Sequence, residues 1–507
     1  MYFTGRHGEQ LDLTLVTEER VPPDIGLDTV ALGVGDDVAA IGPLAAAARS
    51  HFEATAPRRA RSPLPQLPLM RDSDSGRLRT VYKEIVIRFT AASTDAQRRK
   101  LLKAHRLTIQ RPNPFIADQV VVKGASVGLD LLDPANALAA ADEVVFAVPN
   151  FVTQYRRVAP VRIATAQWQL DNRATLQGQL AGEDVNARDA WKLTRGRPSV
   201  LVAVIDDGVD IDHPNLKARI WRNPDRNDPD RHGRDFFIPD DNPDHFDPRP
   251  KRFQFPFDET AVNDIHGTPC AGVVAAAGRA AWGIAPRCRI LPVKVFHADE
   301  MAADERVADS IRYAASRAAV LSCSWTGART PDLATAIEDA GVLGRRGLGS
   351  PVLFATGNEA STVGYPASDP NAIGVGASTD QAKLASYSNR GPEVSVVAPS
   401  GGGIADIYTT DVSIPGRGYN PAPMPDGAHT DTFSGTSSAT PLAAGVAALV
   451  ISANPALTRD EVRDVLQNTA TRIGRGYDGA GHSDRFGHGR VDAMAAVTEA
   501  RRRRRSR

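Results

Sequence analysis

Three short segments concentrate the residues able to do covalent chemistry: Val204-Ile205-Asp206-Asp207-Gly208, His266-Gly267-Thr268-Pro269-Cys270 and Gly435-Thr436-Ser437-Ser438-Ala439-Thr440-Pro441. A serine hydroxyl is a poor nucleophile until an imidazole takes its proton. The imidazole in turn needs a carboxylate to fix its tautomer and stabilise the imidazolium. Asp206, His266 and Ser437 are the candidates for these three roles, met in the chain order Asp, His, Ser. Each segment alone is a weak signal, since Asp-Asp-Gly after an apolar run is commonly a turn. The set of three in that order is what points to acyl transfer.

Chemistry of this kind needs a rigid frame. From Trp168 onward, apolar strand-like runs alternate with Ala-rich helical runs, the pattern of a wound parallel sheet. Strands are expected at 200–205, 290–295, 320–324, 352–356, 372–376 and 394–398. Functional residues of such sheets gather beyond the carboxyl ends of strands, where Asp206 and Asn358 both fall. A helix is predicted over 267–277, with His266 at its start, and a longer Ala-rich one from Ser437 to about Ser452, with Pro441 tolerated in its first turn. A helix N-terminus presents unpaired N–H groups, which makes the backbone N–H of Ser437 a candidate oxyanion donor.

Through these motifs, and above all Gly-Thr-Ser-x-Ala-x-Pro, the chain from about 165 to 500 resembles the subtilisin-like serine proteases. The resemblance implies a three-layer α/β fold with a parallel central sheet, and endopeptidase activity through an acyl-enzyme. It implies Asn358, in Ala355-Thr356-Gly357-Asn358-Glu359, as the side-chain oxyanion donor. It also implies Ser322-Cys323-Ser324-Trp325-Thr326-Gly327 as the strand whose backbone binds an extended substrate, with Ser324, Trp325, Thr326 and Gly327 as its site residues. The Trp325 side chain reads as ordinary core. Asp-Asp-Gly, His-Gly-Thr-x-Cys and Ser-x-Ser-Trp lean toward kexin-like members, but the stretch 326–330 has none of the acidic groups of a dibasic pocket. Calcium commonly stabilises folds of this family, and Asp235, Asp240, Asp241 and Asp244 offer clustered oxygens for it. An acidic surface loop is the other reading of that run. The chemistry itself requires no cofactor.

Ahead of this body, strand-like 84–89, helix-like 93–105 capped by Ser93 or Thr94, strand-like 118–122, a short helix opened by Asp133-Pro134 and a strand over 143–148 suggest a small α+β module. Its place in the chain resembles the propeptides of subtilisin-like proteases, which chaperone and inhibit. The same alternation also fits a ferredoxin-like binding domain. The expected organisation is therefore an N-terminal extension over 1–78 ending in an Arg/Pro/Ser-rich linker, a propeptide-like module over 79–157, a catalytic domain over 158–500 and a basic tail over 501–507. Self-cleavage is expected between Asn150 and Trp168.

Hydrophobic residues at 42% and charged residues at 24% suit a folded chain. The 60 basic and 60 acidic residues cancel, so no bulk field draws the chain to nucleic acid or to an anionic membrane. The expected partners are protein or peptide substrates and the chain's own module. Three cysteines supply no disulfide framework, and the charged N-terminus has no apolar signal core, so a cytoplasmic location is expected. Oligomeric state is left open. A catalytically silent peptide-binding scaffold is the rival to an enzyme, disfavoured by the presence of every chemical residue.

Overall fold

The computed structural model describes residues 2–4, 10–15, 69–72, 78–126, 128–153, 156–157, 167–254, 261–278, 280–297, 300–414, 416–422 and 426–505. The first body is an antiparallel sheet with two helices. Its strands are β1 (Tyr2–Thr4), β2 (Gln10–Leu15), β3 (Leu69–Asp72), β4 (Leu78–Phe89), β5 (Thr108–Pro112), β6 (Gln119–Lys123) and β7 (Val144–Thr153), paired in the order 1-2-3-4-6-5 with β7 on β4. The N-terminal extension thus contributes strands to the module's sheet, and β3 lies inside the stretch expected to be linker. The rest of that linker lies outside the described residues.

Helix α1 (Asp95–Ala104) starts at Thr94 through a capping box with Gln97, which satisfies two backbone donors at once. Helix α2 (Leu132–Ala139) begins at Leu131 without a side-chain cap. Asp133 and Pro134 therefore sit inside its first turn, where a missing N–H costs nothing. Both helices cover a core built from Val86, Phe89, Val121, Leu138 and Phe151. A two-residue strand, β8 (Arg156–Arg157), follows.

The second body is the expected parallel sheet. Its strands are β9 (Leu201–Asp206), β10 (Arg234–Asp235), β11 (Arg289–Lys294), β12 (Val320–Cys323), β14 (Val352–Ala355), β15 (Ile373–Ser378) and β16 (Val394–Pro399), in the order 10-11-9-12-14-15-16 and all parallel. A short edge strand, β13 (Trp325–Thr326), leaves β12 and pairs antiparallel with β8. Both faces of the sheet are covered, so its strands read as near-continuous apolar runs rather than alternating ones. One face carries α3 (Gly267–Ala275) and α6 (Thr436–Ala453), the other α4 (Asp304–Ala315) and α5 (Pro331–Gly347). Helix α6, with 18 residues and a mean hydropathy of 1.4, is long and apolar enough to cross a membrane, but it is wholly buried as the central helix of this core. The terminal helix α7 (Ala493–Arg505) takes in most of the basic tail, where Arg502 and Arg503 pair with Glu499.

Candidate active site

Asp206 ends β9, one strand from the middle of the sheet, and His266 immediately precedes α3. The imidazole Nδ1 lies 2.8 Å and 3.0 Å from the two Asp206 carboxylate oxygens, with both side chains buried. Held this way, Nδ1 carries the proton and Nε2 is left as the basic nitrogen. The close approach of α3 to β9 fixes the residue after His266: a Cβ on Gly267 would stand 2.3 Å from the Gly208 carbonyl.

Ser437 is the second residue of α6 and fully buried, its hydroxyl donating to the Ser324 carbonyl at 3.2 Å. Pro441 is not confined to the first turn, and its position has a consequence for the nucleophile. A proline in a helix deprives the carbonyl four residues earlier of its partner, and here that carbonyl belongs to Ser437. The Ser324 hydroxyl, at 3.0 Å, and the Cys270 thiol, at 3.7 Å, donate to it instead. Ser324 and Cys270 thus hold the backbone of the candidate nucleophile.

Asn358 follows β14. Its Oδ1 accepts from both the backbone N–H and the hydroxyl of Thr436 at 2.9 Å, which fixes the amide orientation. Its Nδ2 is buried and has no hydrogen-bond partner among the described residues. A buried donor without a partner costs roughly 1–3 kcal/mol, and this one, beside the candidate nucleophile, is available to an acceptor in the cleft. The loop is shaped by Asn389, whose Oδ1 accepts from the N–H groups of Glu359 and Ser361 and whose Nδ2 donates to the Thr356 carbonyl. Gly357, with φ of +107°, sits where a Cβ would press on that Asn389 amide at 2.4 Å.

The edge strand β13 stands beside this centre. The Trp325 ring is core, as read from the sequence: Nε1 donates to the Ile205 carbonyl at 2.8 Å, and the ring packs edge-on against Phe296 and Phe354. The Thr326 side chain is also buried. The Gly327 N–H is committed to the Tyr365 carbonyl at 2.7 Å. Burial pushes the Cys270 and Cys323 thiols well above their usual range, and the Asp206 charge adds to it. Neither is a competing nucleophile.

The four aspartates expected to hold calcium are not brought together as a cation site. Asp235 is fully buried, and its carboxylate pairs with Lys251 at 3.1 Å. Burial raises its pKa against the pull of Lys294 and Lys251. Burial also opposes charge on Asp240, but Arg306 and Arg234 outweigh it and hold that carboxyl below its ordinary value. Asp240, Asp241 and Asp244 are exposed. Protein cations already compensate Asp235 and Asp240, so the set does not fit a calcium ion. Among the described residues, the one group of three ligating side chains lying within 4.8 Å of one another is Asp206, His266 and Cys270 of the catalytic centre itself.

The model of the Subtilase family matches residues 197–489, a span that contains every residue of this centre. The chain belongs to the subtilase family. It is 31% identical over 451 residues to a calcium-dependent protease of Trichormus variabilis, covering 82% of this chain and 63% of that protein. It is 33% identical over 346 residues to a thermophilic serine proteinase of a Bacillus species, covering 67% of this chain and 72% of that protein. The first two curated relatives are thus spanned over 63% and 60% of their own lengths. Among solved structures, a protease of Pseudoalteromonas arctica superposes with a TM-score of 0.52 at 26% identity, over 66% of this subtilase and 97% of that chain. Fervidolysin of Fervidobacterium pennivorans shares the fold, with a TM-score of 0.59 at 21% identity over 84% of this chain and 62% of that one.

Proposed function

We propose that this subtilase is a serine endopeptidase made as a self-inhibited precursor. The observation that carries the activity is the buried Nδ2 of Asn358, locked by Thr436 beside the nucleophile and left without a partner among the described residues. In the proposed reaction the Ser437 hydroxyl turns from the Ser324 carbonyl to His266 Nε2, loses its proton and attacks a peptide carbonyl. The tetrahedral oxyanion takes hydrogen bonds from Asn358 Nδ2 and the Ser437 N–H. His266, steadied by Asp206, then protonates the leaving amine, and water releases the acyl-enzyme. The chain's own base and donors suffice for every step.

The inhibited state rests on β8. Arg156 and Arg157 pair antiparallel with Thr326 and Trp325, the edge where an extended substrate would add as a strand. The module thereby covers the cleft it precedes, and cutting after it would open the cleft. Residues 158–166, within the expected cleavage stretch, lie outside the described residues. A structural calcium ion is a further part of this reading, supported by the relatives named calcium-dependent proteases and not by the four aspartates. Chelation should lower the melting temperature if such an ion is bound elsewhere.

Intact mass of the wild type and of Ser437→Ala, before and after a fluorophosphonate, tests the proposal. The expected result is one adduct on the wild type alone, with a wild-type truncation between Asn150 and Trp168. Hydrolysis by the alanine variant at the wild-type rate would refute the assignment of Ser437.

A further inference from the structure

Asp207 takes no part in the proposed proton relay, yet its carboxylate is fully buried and engaged at both oxygens. Oδ2 accepts from the backbone N–H groups of Ile265 and His266, each at 2.8 Å, and Oδ1 from that of Gly267 at 2.6 Å. These are donors at the N-terminus of α3, whose own N-cap residue, His266, offers no side-chain cap. The cap is supplied instead by the residue that follows β9. Because Asp206 holds the ring of His266 and Asp207 holds its backbone, two adjacent carboxylates grip one histidine from two sides.

The grip is itself anchored. Lys294, with no exposed surface, donates to the Asp207 carbonyl at 2.7 Å, to Asp264 Oδ2 at 2.6 Å and to the Phe296 carbonyl at 2.5 Å. Asp264 lies two residues before His266 and also accepts from the Lys251 N–H at 2.7 Å. The Asp207 N–H donates to Asp206 Oδ1 at 2.8 Å. The chain on both sides of the contact is therefore pinned, and the Asp207 carboxylate has little room to move.

Resting on the reading of His266 as general base, we propose that Asp207 is a positioning residue for it. Its cap sets where the imidazole stands relative to Ser437, and its negative charge, held on the backbone N–H of His266 itself, favours the imidazolium. The role differs from lining a pocket for basic substrate residues, since both carboxylate oxygens are spent on backbone donors.

The variant Asp207→Asn keeps the size of the side chain, removes the charge and turns an NH2 group toward N–H donors. Histidine-labelled Ser437→Ala protein, with the His266 signal assigned by its loss in His266→Gln, gives a readout independent of turnover. The imidazole pKa should fall by roughly half a pH unit in Asp207→Asn. In the chain with Ser437 intact, kcat per fluorophosphonate-titrated site should fall about ten- to a hundredfold with KM within about twofold, the expected cost of a misplaced base. Asp207→Ser, which can cap one N–H without charge, should recover part of kcat while keeping the lowered pKa, and it substitutes if the asparagine variant does not fold. An unmoved imidazole pKa together with wild-type kcat per titrated site would overturn the proposal. If the wild type cleaves no peptide while the pKa shift is present, the positioning role stands and the protease reading fails.

Discussion

The active centre and the face of α4 and α5 beneath the module both bury carboxylates, and they stabilise them by opposite means. Asp206 and Asp207 are held by an imidazole ring and by backbone N–H groups whose positions are fixed by the strand and helix that carry them. Under the module, Glu305, Asp309, Asp332 and Asp339 crowd one another and depend on side-chain partners. Arg312 reaches Asp309 at 3.1 Å, Asp332 and, at 3.9 Å, Asp339. From the module, Arg111 pairs with Glu305, Arg88 meets Asp339 at 3.2 Å, Asn113 donates to Asp309 at 2.5 Å and Gln119 to Asp332 at 3.2 Å. Backbone donors come with the fold and stay with it. On the precursor reading proposed above, the side-chain cations and amides that the module supplies leave when it leaves. The comparison suggests a centre built to persist and an interface built to be given up.

Arg312→Met should have the largest effect on this contrast. It leaves Asp309 and Asp332 buried without their shared cation, a loss of about 3–5 kcal/mol when a buried pair loses one partner. The loss should fall on the docked state, because undocking returns both carboxylates to water. Urea unfolding in the Ser437→Ala background should show the module's transition at lower denaturant, with the catalytic body's transition less affected. Equal shifts of both transitions would mean that the cluster belongs to the catalytic fold and not to docking.

Asn358→Leu probes the other side of the comparison. It removes an oxyanion donor with little change in volume, and kcat should fall about 10² to 10³ with KM nearly constant, a magnitude taken from the equivalent asparagine of subtilisin itself. Steady-state kinetics on a peptide substrate decides it. A rise in KM at constant kcat would make Asn358 a ground-state contact instead.

The same contrast explains what the sequence disclosed. The parallel strands were legible because burial on both faces leaves apolar runs, and the three candidate triad residues stand at element ends that such runs delimit. Asn389 and Asp207 were not, since their roles lie in hydrogen bonds to backbone groups distant in sequence, which no local pattern encodes. Ser324 was read for its backbone, whereas its hydroxyl serves the carbonyl that Pro441 strips of a partner. Strand β5 and the helices α4 and α5 are not announced by such apolar runs. In α4 even Asp304, Glu305, Arg306, Asp309 and Arg312 are buried, Glu305 and Asp309 against Arg111 and Asn113 of the module and Arg306 against Ile238 and Asp240, so the helix lacks the solvent-facing polar stripe of a surface helix. The aspartate run misled for a related reason: the arginines and lysines that neutralise Asp235 and Asp240 are contributed partly by other elements.

The smallest effect expected is a pH dependence confined to the interface. Burial, and then the neighbouring charge of Glu305, push the Asp309 carboxyl up to about 7 in the docked chain, against the pull of Arg312 and the amide of Asn113; Asp332 on α5 adds to the rise. Undocked and hydrated, an aspartate titrates near 4. The docked form therefore holds a proton that the undocked form releases. The contribution to docking is fully present below the undocked value and is lost as pH rises through about 7. Between pH 6 and pH 8 the docking constant should fall about tenfold, or about 1.4 kcal/mol. Limited proteolysis of the module in Ser437→Ala protein, by an added protease whose own pH dependence is calibrated on an unfolded substrate, measures the undocked fraction. Asp309→Asn carries no titrating carboxyl at this position, so its undocked fraction should stay level across that range. A wild-type fraction equally level would place the proton elsewhere and leave the interface as indifferent to pH as the backbone-held carboxylates of the active centre.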